Sequence, residues 1–305
     1  MTSVEANEFT EEKHVGYLRQ AFRFLPHHYQ GNDVLRITLG YFGLLGLEVL
    51  GSLQNTLDEE KRRKLIDWIY AQQVITKEYP EHNGFRGSPF PGECPGEKEG
   101  WVDNRGNLAE TDHALLCLML LGDDLSRVDK AGIIRGVQAL QQPDGSFIPA
   151  AGSKEMDMRF VYAACAISAI LDDWSGVNRD LACQYIRQCQ CYDGGIAQSP
   201  GLESHGGSTF CGVAALYLMG KLESGVVDAP RLQRWCLRRQ TSEGYQGRVG
   251  KPADTCYSFW IGSSLDMLRG QTFTESSTIW TALSQCQSTY GGFGKWPDTL
   301  PGKWM

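Results

Sequence analysis

At 305 residues, with 42% hydrophobic and 21% charged residues, the chain has ordinary globular composition and length enough for one large core or two smaller ones. Its net charge of −7 gives no general attraction to nucleic acid or to an anionic membrane surface, so a bound anion must meet a local basic cluster. The polar, acidic residues 1–12 are expected to be neither signal nor transit peptide, and the longest apolar run, residues 114–121, is too short for stable membrane insertion.

In chain order, two kinds of helical stretch alternate. Stretches rich in small and apolar residues, expected inside, cover 36–50, 108–121, 158–171, 208–222 and 255–268. Amphipathic stretches, expected to face solvent, cover 65–73, 133–142, 181–190, 232–240 and 279–287, and each ends in glutamine. A glycine turn follows each, and its third residue is Phe85, Phe147, Ile196, Tyr245 or Phe293, at intervals of 62, 49, 49 and 48 residues. Internal repetition of this kind, with few strand signals, predicts an all-α chain of helix pairs. Closed into a ring it is an α/α toroid, with the glycine turns on one rim; an open solenoid is the competing arrangement. The expectation is a single domain, 1–305, of about five helix pairs with a short disordered N-terminus, 1–10. After Phe293 another inner helix is due, yet Pro297 and Pro301 oppose one, so the ring is expected to lack its last inner helix.

Ten scattered cysteines suggest packing in a reducing, cytoplasmic setting rather than a disulfide framework. Cys189 and Cys191 form a C-x-C pair with no second pair at zinc spacing, and are read as packing residues.

Three segments carry chemistry. In residues 202–212, His205 and two glycines enter an inner helix, with Ser208 or Thr209 as cap; free amides and a donating histidine make an anion cradle, whereas the plain reading is a tight surface loop. In residues 247–260, Arg248 and Lys251 are spaced to aim charge at one place. Pro252 precedes a helix whose first turn brings Asp254 and Cys256 close enough to share a metal, with the helix end favouring thiolate; the plain reading is Asp254 as an N-cap. In residues 291–298, Lys295 adds a cation to the same rim, or is simply solvated.

These segments, with 122–128 and 157–162, resemble the β subunits of protein prenyltransferases, and among them geranylgeranyltransferase type I, from about residue 12 to residue 298. The resemblance implies the α/α toroid fold. It implies that Asp254 and Cys256 are two of three zinc ligands, and that His205, Arg248, Lys251 and Tyr257 bind the diphosphate leaving group. It implies that Arg159 and Tyr162 line the lipid and peptide cavity, with Phe42, Gly207 and Cys211 as further substrate contacts and Trp260 as an aromatic wall. Thr38 matches the position that closes the lipid tunnel with tryptophan in the farnesyl branch, which leaves room for another isoprene unit. Lys295 stands where that branch binds magnesium, so magnesium is not expected to be required. Zinc would lower the pKa of an acceptor cysteine, whose thiolate attacks C1 of geranylgeranyl diphosphate. Acceptors would end in C-a-a-X, and a helical α subunit would complete a heterodimer.

Two departures accompany the resemblance. No histidine lies beyond His205 to serve as third zinc ligand, and Asp112-His113 replaces an apolar stretch with a tyrosine; His113 is read as local variation, not a ligand. The alternatives are a non-catalytic form that binds lipid or partner, a farnesyl- or Rab-type β subunit, and a toroidal terpene cyclase, whose D-x-D-D motif is missing.

Overall fold

The helices start where the sequence supplies an acceptor for their free amides. Asp58, Asn107, Asp129, Asp157, Asn178 and Asp228 each take the N-cap position and accept from an amide of the first turn. The structure is a computed structural model that describes residues 8–22, 27–89, 105–226 and 228–302.

The inner layer consists of α2 (Arg36–Val49), α5 (Leu108–Leu120), α7 (Met158–Ile170), α9 (Gly206–Leu218) and α11 (Cys256–Met267), each packed along the next. The outer layer holds α1 (Glu11–Ala21), α4 (Glu59–Tyr70), α6 (Lys130–Leu140), α8 (Arg179–Cys189), α10 (Ala229–Leu237) and α12 (Ser276–Gln285); a one-turn α3 (Leu53–Thr56) follows α2. The core lies between the layers, where Leu115, Leu118, Ile167, Val213 and Leu216 from inside are buried with Ile133, Ile186 and Leu232 from outside. Each such side chain contributes about 1.5–3 kcal/mol on full burial. Among the described residues no helix is long and apolar enough to cross a membrane.

Each outer helix ends short of its terminal glutamine, which instead starts a tight antiparallel pairing. β1 (Gln73–Val74) pairs with β2 (Gly84–Phe85), β3 (Gln240–Thr241) with β4 (Gly244–Tyr245), and single bridges join Gln190 to Ile196, Gln287 to Phe293 and, in the second repeat, Gln141 rather than the expected Gln142 to Phe147. The turn glycine is required twice over at Gly145. Its φ is +91°, and a Cβ there would lie 2.0 Å from the Leu181 carbonyl of the following outer helix.

The glutamine side chain clasps the N-cap of the next outer helix. The Gln141 amide donates to the Asn178 carbonyl and accepts from the Asn178 amide; Gln190 does the same with Asp228, and Gln240 with Glu275. Gln287 treats α1 likewise, donating to the Glu8 carbonyl and accepting from the Thr10 amide. Gly291 meets the Lys13 carbonyl as Gly145 meets that of Leu181. So α1 is the outer helix that follows α12, and the outer layer closes on itself. An open solenoid is thereby excluded for the outer layer. Of the expected disordered start, residues 1–7 lie outside the described ones; Phe9 stacks on His14 at 4.8 Å, which in turn stacks on Phe293. Among the described residues the inner layer holds five helices, and none follows α12.

Candidate active site

Inner helices run parallel, so their N-termini share the rim of the glycine turns, and the three chemical segments lie there on loops built alike. Bridges Ala197–Ser204, Gln246–Ala253 and Gly294–Pro301 pinch each loop shut just before or after its reactive residues. The Gly206 amide donates to the Gly247 carbonyl at 2.8 Å, and the Thr255 amide to the Lys295 carbonyl at 3.3 Å, which places the loops side by side.

His205, rather than Ser208 or Thr209, is the N-cap of α9, accepting from the Ser208 amide through Nδ1 at 3.3 Å. An accepting Nδ1 leaves the proton of the neutral ring on Nε2, an assignment made from the hydrogen-bond network. Nε2 is 3.0 Å from the Tyr257 hydroxyl, so the imidazole donates and the phenol keeps its own proton for another acceptor. Burial, then the Arg248 charge, lower the His205 pKa, which holds this neutral form. Burial pushes Tyr257 up to about 12. Gly247 leaves room for the Tyr257 ring, since a Cβ there would meet its Cζ at 1.8 Å.

Arg248 is held by Glu203, Nη1 to Oε1 at 2.5 Å, while its buried Nε has no partner. As the partner of Arg248, Glu203 joins the candidate site; sequence reasoning passed it over, although it stands two positions before His205. Lys251, exposed, closes a turn back to Arg248 through its amide. Lys295 is not simply solvated: its Nζ is 3.4 Å from Asp254 Oδ2 and 4.4 Å from the Trp296 ring centroid.

The N-cap of α11 is Thr255 rather than Asp254, whose Oδ1 accepts from the Cys256 amide while Oδ2 faces Lys295. Cys256 is the first residue of α11, yet burial, followed by the Asp254 hydrogen bond, pushes its thiol up to about 12, so the helix end does not by itself favour thiolate. Among the described residues no group of three histidine, cysteine, aspartate or glutamate side chains is placed to hold a metal. Asp254 and Cys256 offer two donors where catalytic zinc takes three, so the residues present do not complete such a site and no step is assigned to a metal. Cys189 is buried, and the Cys191 thiol donates to the Leu202 carbonyl at 3.3 Å; both are free thiols, as the packing reading expects.

Inside the ring an aromatic wall follows the inner helices. Tyr162 packs on Phe210 at 5.5 Å, Phe210 on Trp260 at 5.0 Å, and Tyr41 contacts both Phe42 and His113. Cys211 is buried beside it, and Gly207 approaches the His205 ring closely. Arg159 is locked to the buried Asp157 and to Glu155, each contact at 2.5 Å. Thr38 is 8% exposed, and its hydroxyl is shared between Glu110 Oε1 at 2.8 Å and His113 Nδ1 at 2.7 Å.

A ring of helix pairs with histidine, arginine and lysine side chains gathered on one rim and an aromatic interior defines a class. The prenyltransferase alpha-alpha toroid domain matches residues 9–302, and the chain belongs to the prenyltransferase β-subunit family. It is 39% identical to the geranylgeranyl transferase type-1 subunit beta of Arabidopsis thaliana, over 98% of this chain and 83% of that one. It is 34% identical to the same subunit of Dictyostelium discoideum, over 95% and 86%. The protein farnesyltransferase subunit beta of Pisum sativum is 30% identical over 88% of this chain and 58% of its own. The solved structure of Candida albicans protein geranylgeranyltransferase-I complexed with GGPP superposes with a TM-score of 0.87 at 23% identity, over 97% of this chain and 88% of that one, a likeness of fold.

Proposed function

We propose that the chain is the catalytic β subunit of a type-1 protein geranylgeranyltransferase, which moves a geranylgeranyl group from geranylgeranyl diphosphate to the cysteine thiol of C-a-a-X acceptors. It works as a heterodimer with an α subunit in the cytoplasm. The higher identity to type-1 geranylgeranyl than to farnesyl β subunits supports the lipid class. The observation that carries the chemistry is the His205–Tyr257 pair beside the unpartnered Nε of Arg248.

In the reaction a sulfur–carbon bond forms as the C1–oxygen bond breaks, and negative charge grows on the departing diphosphate. Tyr257, whose oxygen already accepts from His205, points its own proton at that charge. Arg248 donates through Nε while Glu203 fixes its other end, and Lys251 and Lys295 add charge without a magnesium ion. Each donor held in place before the reaction stabilises the transition state without reorganisation. The aromatic interior takes the hydrocarbon, with Arg159 and Tyr162 on the acceptor side. Zinc, which the family implies, would find Asp254 and Cys256 as partial ligands. The test is co-expression with a type-1 α subunit and transfer of labelled lipid to a peptide ending in C-a-a-Leu. Transfer from the twenty-carbon diphosphate in preference to the fifteen-carbon one is expected, and a farnesyl preference overturns the assignment.

The two-donor metal site favours a second reading, a form that binds lipid or partner without catalysis. It predicts diphosphate-lipid binding with no transfer in the same assay.

A further inference from the structure

The exposed surface of the outer helix α10 is built of arginine. Its outward positions are Pro230, Arg231, Arg234 and, at the C-cap, Arg238, and no carboxylate lies within the helix. Spacings of three and four residues set the three guanidinium groups in one row on the solvent side, about 10 Å from first to last at the rise of an α-helix. Among the described residues none of the three side chains joins an ion pair or a hydrogen bond. The Asp228 cap at the head of the helix spends Oδ1 on the Arg231 amide. On α4, by contrast, cations are matched locally: Lys61 pairs with Asp58, Arg62 with Glu59 and Lys64 with Glu60.

Such a row works against the helix that carries it. Like charges three and four residues apart repel, and Arg231 stands in the first turn, where the helix dipole disfavours a cation. An anionic partner offsets both penalties. A protein partner would also be anchored by apolar groups, and α10 exposes no apolar side chain beside its arginines except Pro230. A line of charge without an anchor suits a fluid anionic surface, and guanidinium forks match phosphate oxygens. We propose that the outer face of α10 docks the protein on the anionic headgroups of a lipid bilayer. The net charge of −7 repels the rest of the chain's surface from the same headgroups, so α10 sets the orientation. Docking of this kind holds whether or not the ring transfers lipid.

The test uses the full chain co-expressed with a type-1 α subunit and sedimented with vesicles of phosphatidylcholine, alone or mixed with phosphatidylserine. Binding is expected only where phosphatidylserine is present, and it is expected to fall as salt is raised. Each arginine near such a surface is worth about fivefold in affinity, so Arg231→Gln/Arg234→Gln/Arg238→Gln is expected to lose about 100-fold. Transfer to a soluble peptide and the melting temperature are expected to stay level, because the three side chains are exposed and lie outside the candidate site. No binding to phosphatidylserine vesicles, equal binding by the glutamine variant, or equal binding to phosphatidylcholine alone overturns the docking face. Binding of polyglutamate in place of the vesicles assigns the row to an acidic protein and overturns it too. Vesicle binding is read apart from transfer, so protein that binds but does not transfer counts against the function alone.

Discussion

Replacing Tyr257 by phenylalanine removes one oxygen and nothing else from the rim. The ring is held in place by contacts a phenyl group keeps, since it fills the space left by Gly247 and lies beside Gly206. What is lost is the relay in which the Ser208 amide fixes the His205 tautomer, His205 donates to the phenol, and the phenol donates to the leaving group. A hydrogen bond to a charged group is worth about 1.5–3 kcal/mol, so the transfer step should slow by roughly 10- to 150-fold. Because charge on the diphosphate grows toward the transition state, lipid Kd should move much less than the rate constant. Single-turnover rapid quench with saturating lipid separates the two. His205→Gln should cost less in the Tyr257→Phe background than alone, as expected of two links in one chain. A Tyr257→Phe rate within twofold of wild type, or strictly additive losses, refutes the relay.

Gly247→Ala should abolish transfer while the melting temperature falls only slightly, since the new methyl must displace the Tyr257 ring from 1.8 Å; rates and calorimetry on the same sample decide it. Gln287→Ala removes the bonds to Thr10, His14 and Glu8 and should cost about 1–3 kcal/mol, with faster hydrogen exchange confined to α1 and α12; uniform exchange around the ring counts against the clasp. Burial raises Asp112 to about 8 and Glu110 to about 7, so the folded state holds protons that the unfolded chain releases near pH 4. Their stabilising contribution is complete below that pH and disappears as pH climbs to about 8. His113, lowered to about 4, is neutral in both states above about pH 6.5 and cannot offset this. The melting temperature should therefore drop between pH 6.5 and 8, and Glu110→Gln/Asp112→Asn should flatten the drop; parallel curves for the two forms contradict it.

Inner helices were legible because a helix buried on nearly every side must be apolar throughout: the sequence reading of 108–121 became Leu108–Leu120, and 158–171 became Met158–Ile170. Outer helices were read as starting late, because their first turns are polar and only a cap such as Asp129 marks them. The terminal glutamines were noticed but placed inside helices. Their work, pairing with an N-cap some 37 residues on, needs the third dimension. His205, Arg248 and Lys295 could be nominated from residue type and loop position and Tyr257 only from the family resemblance, but Glu203 as the tether of Arg248 depends on a contact 45 residues apart. The burial of Glu110 escaped, and Asp112 was noticed only as a departure beside His113, because a carboxylate in a helix looks solvated until its neighbours are known.

The clasp between Gln287 and Thr10 joins residues 277 apart in sequence. Every other glutamine finds its partner within a few dozen residues, soon after both leave the ribosome. The helix α1 is made first and must wait for the last repeat before its mate exists. A nascent chain is therefore a crescent that lengthens pair by pair, its free edge exposed until the final turn arrives. Closure is the long-range event in a fold otherwise built of local ones, and it should set the pace of folding and the window for misassembly.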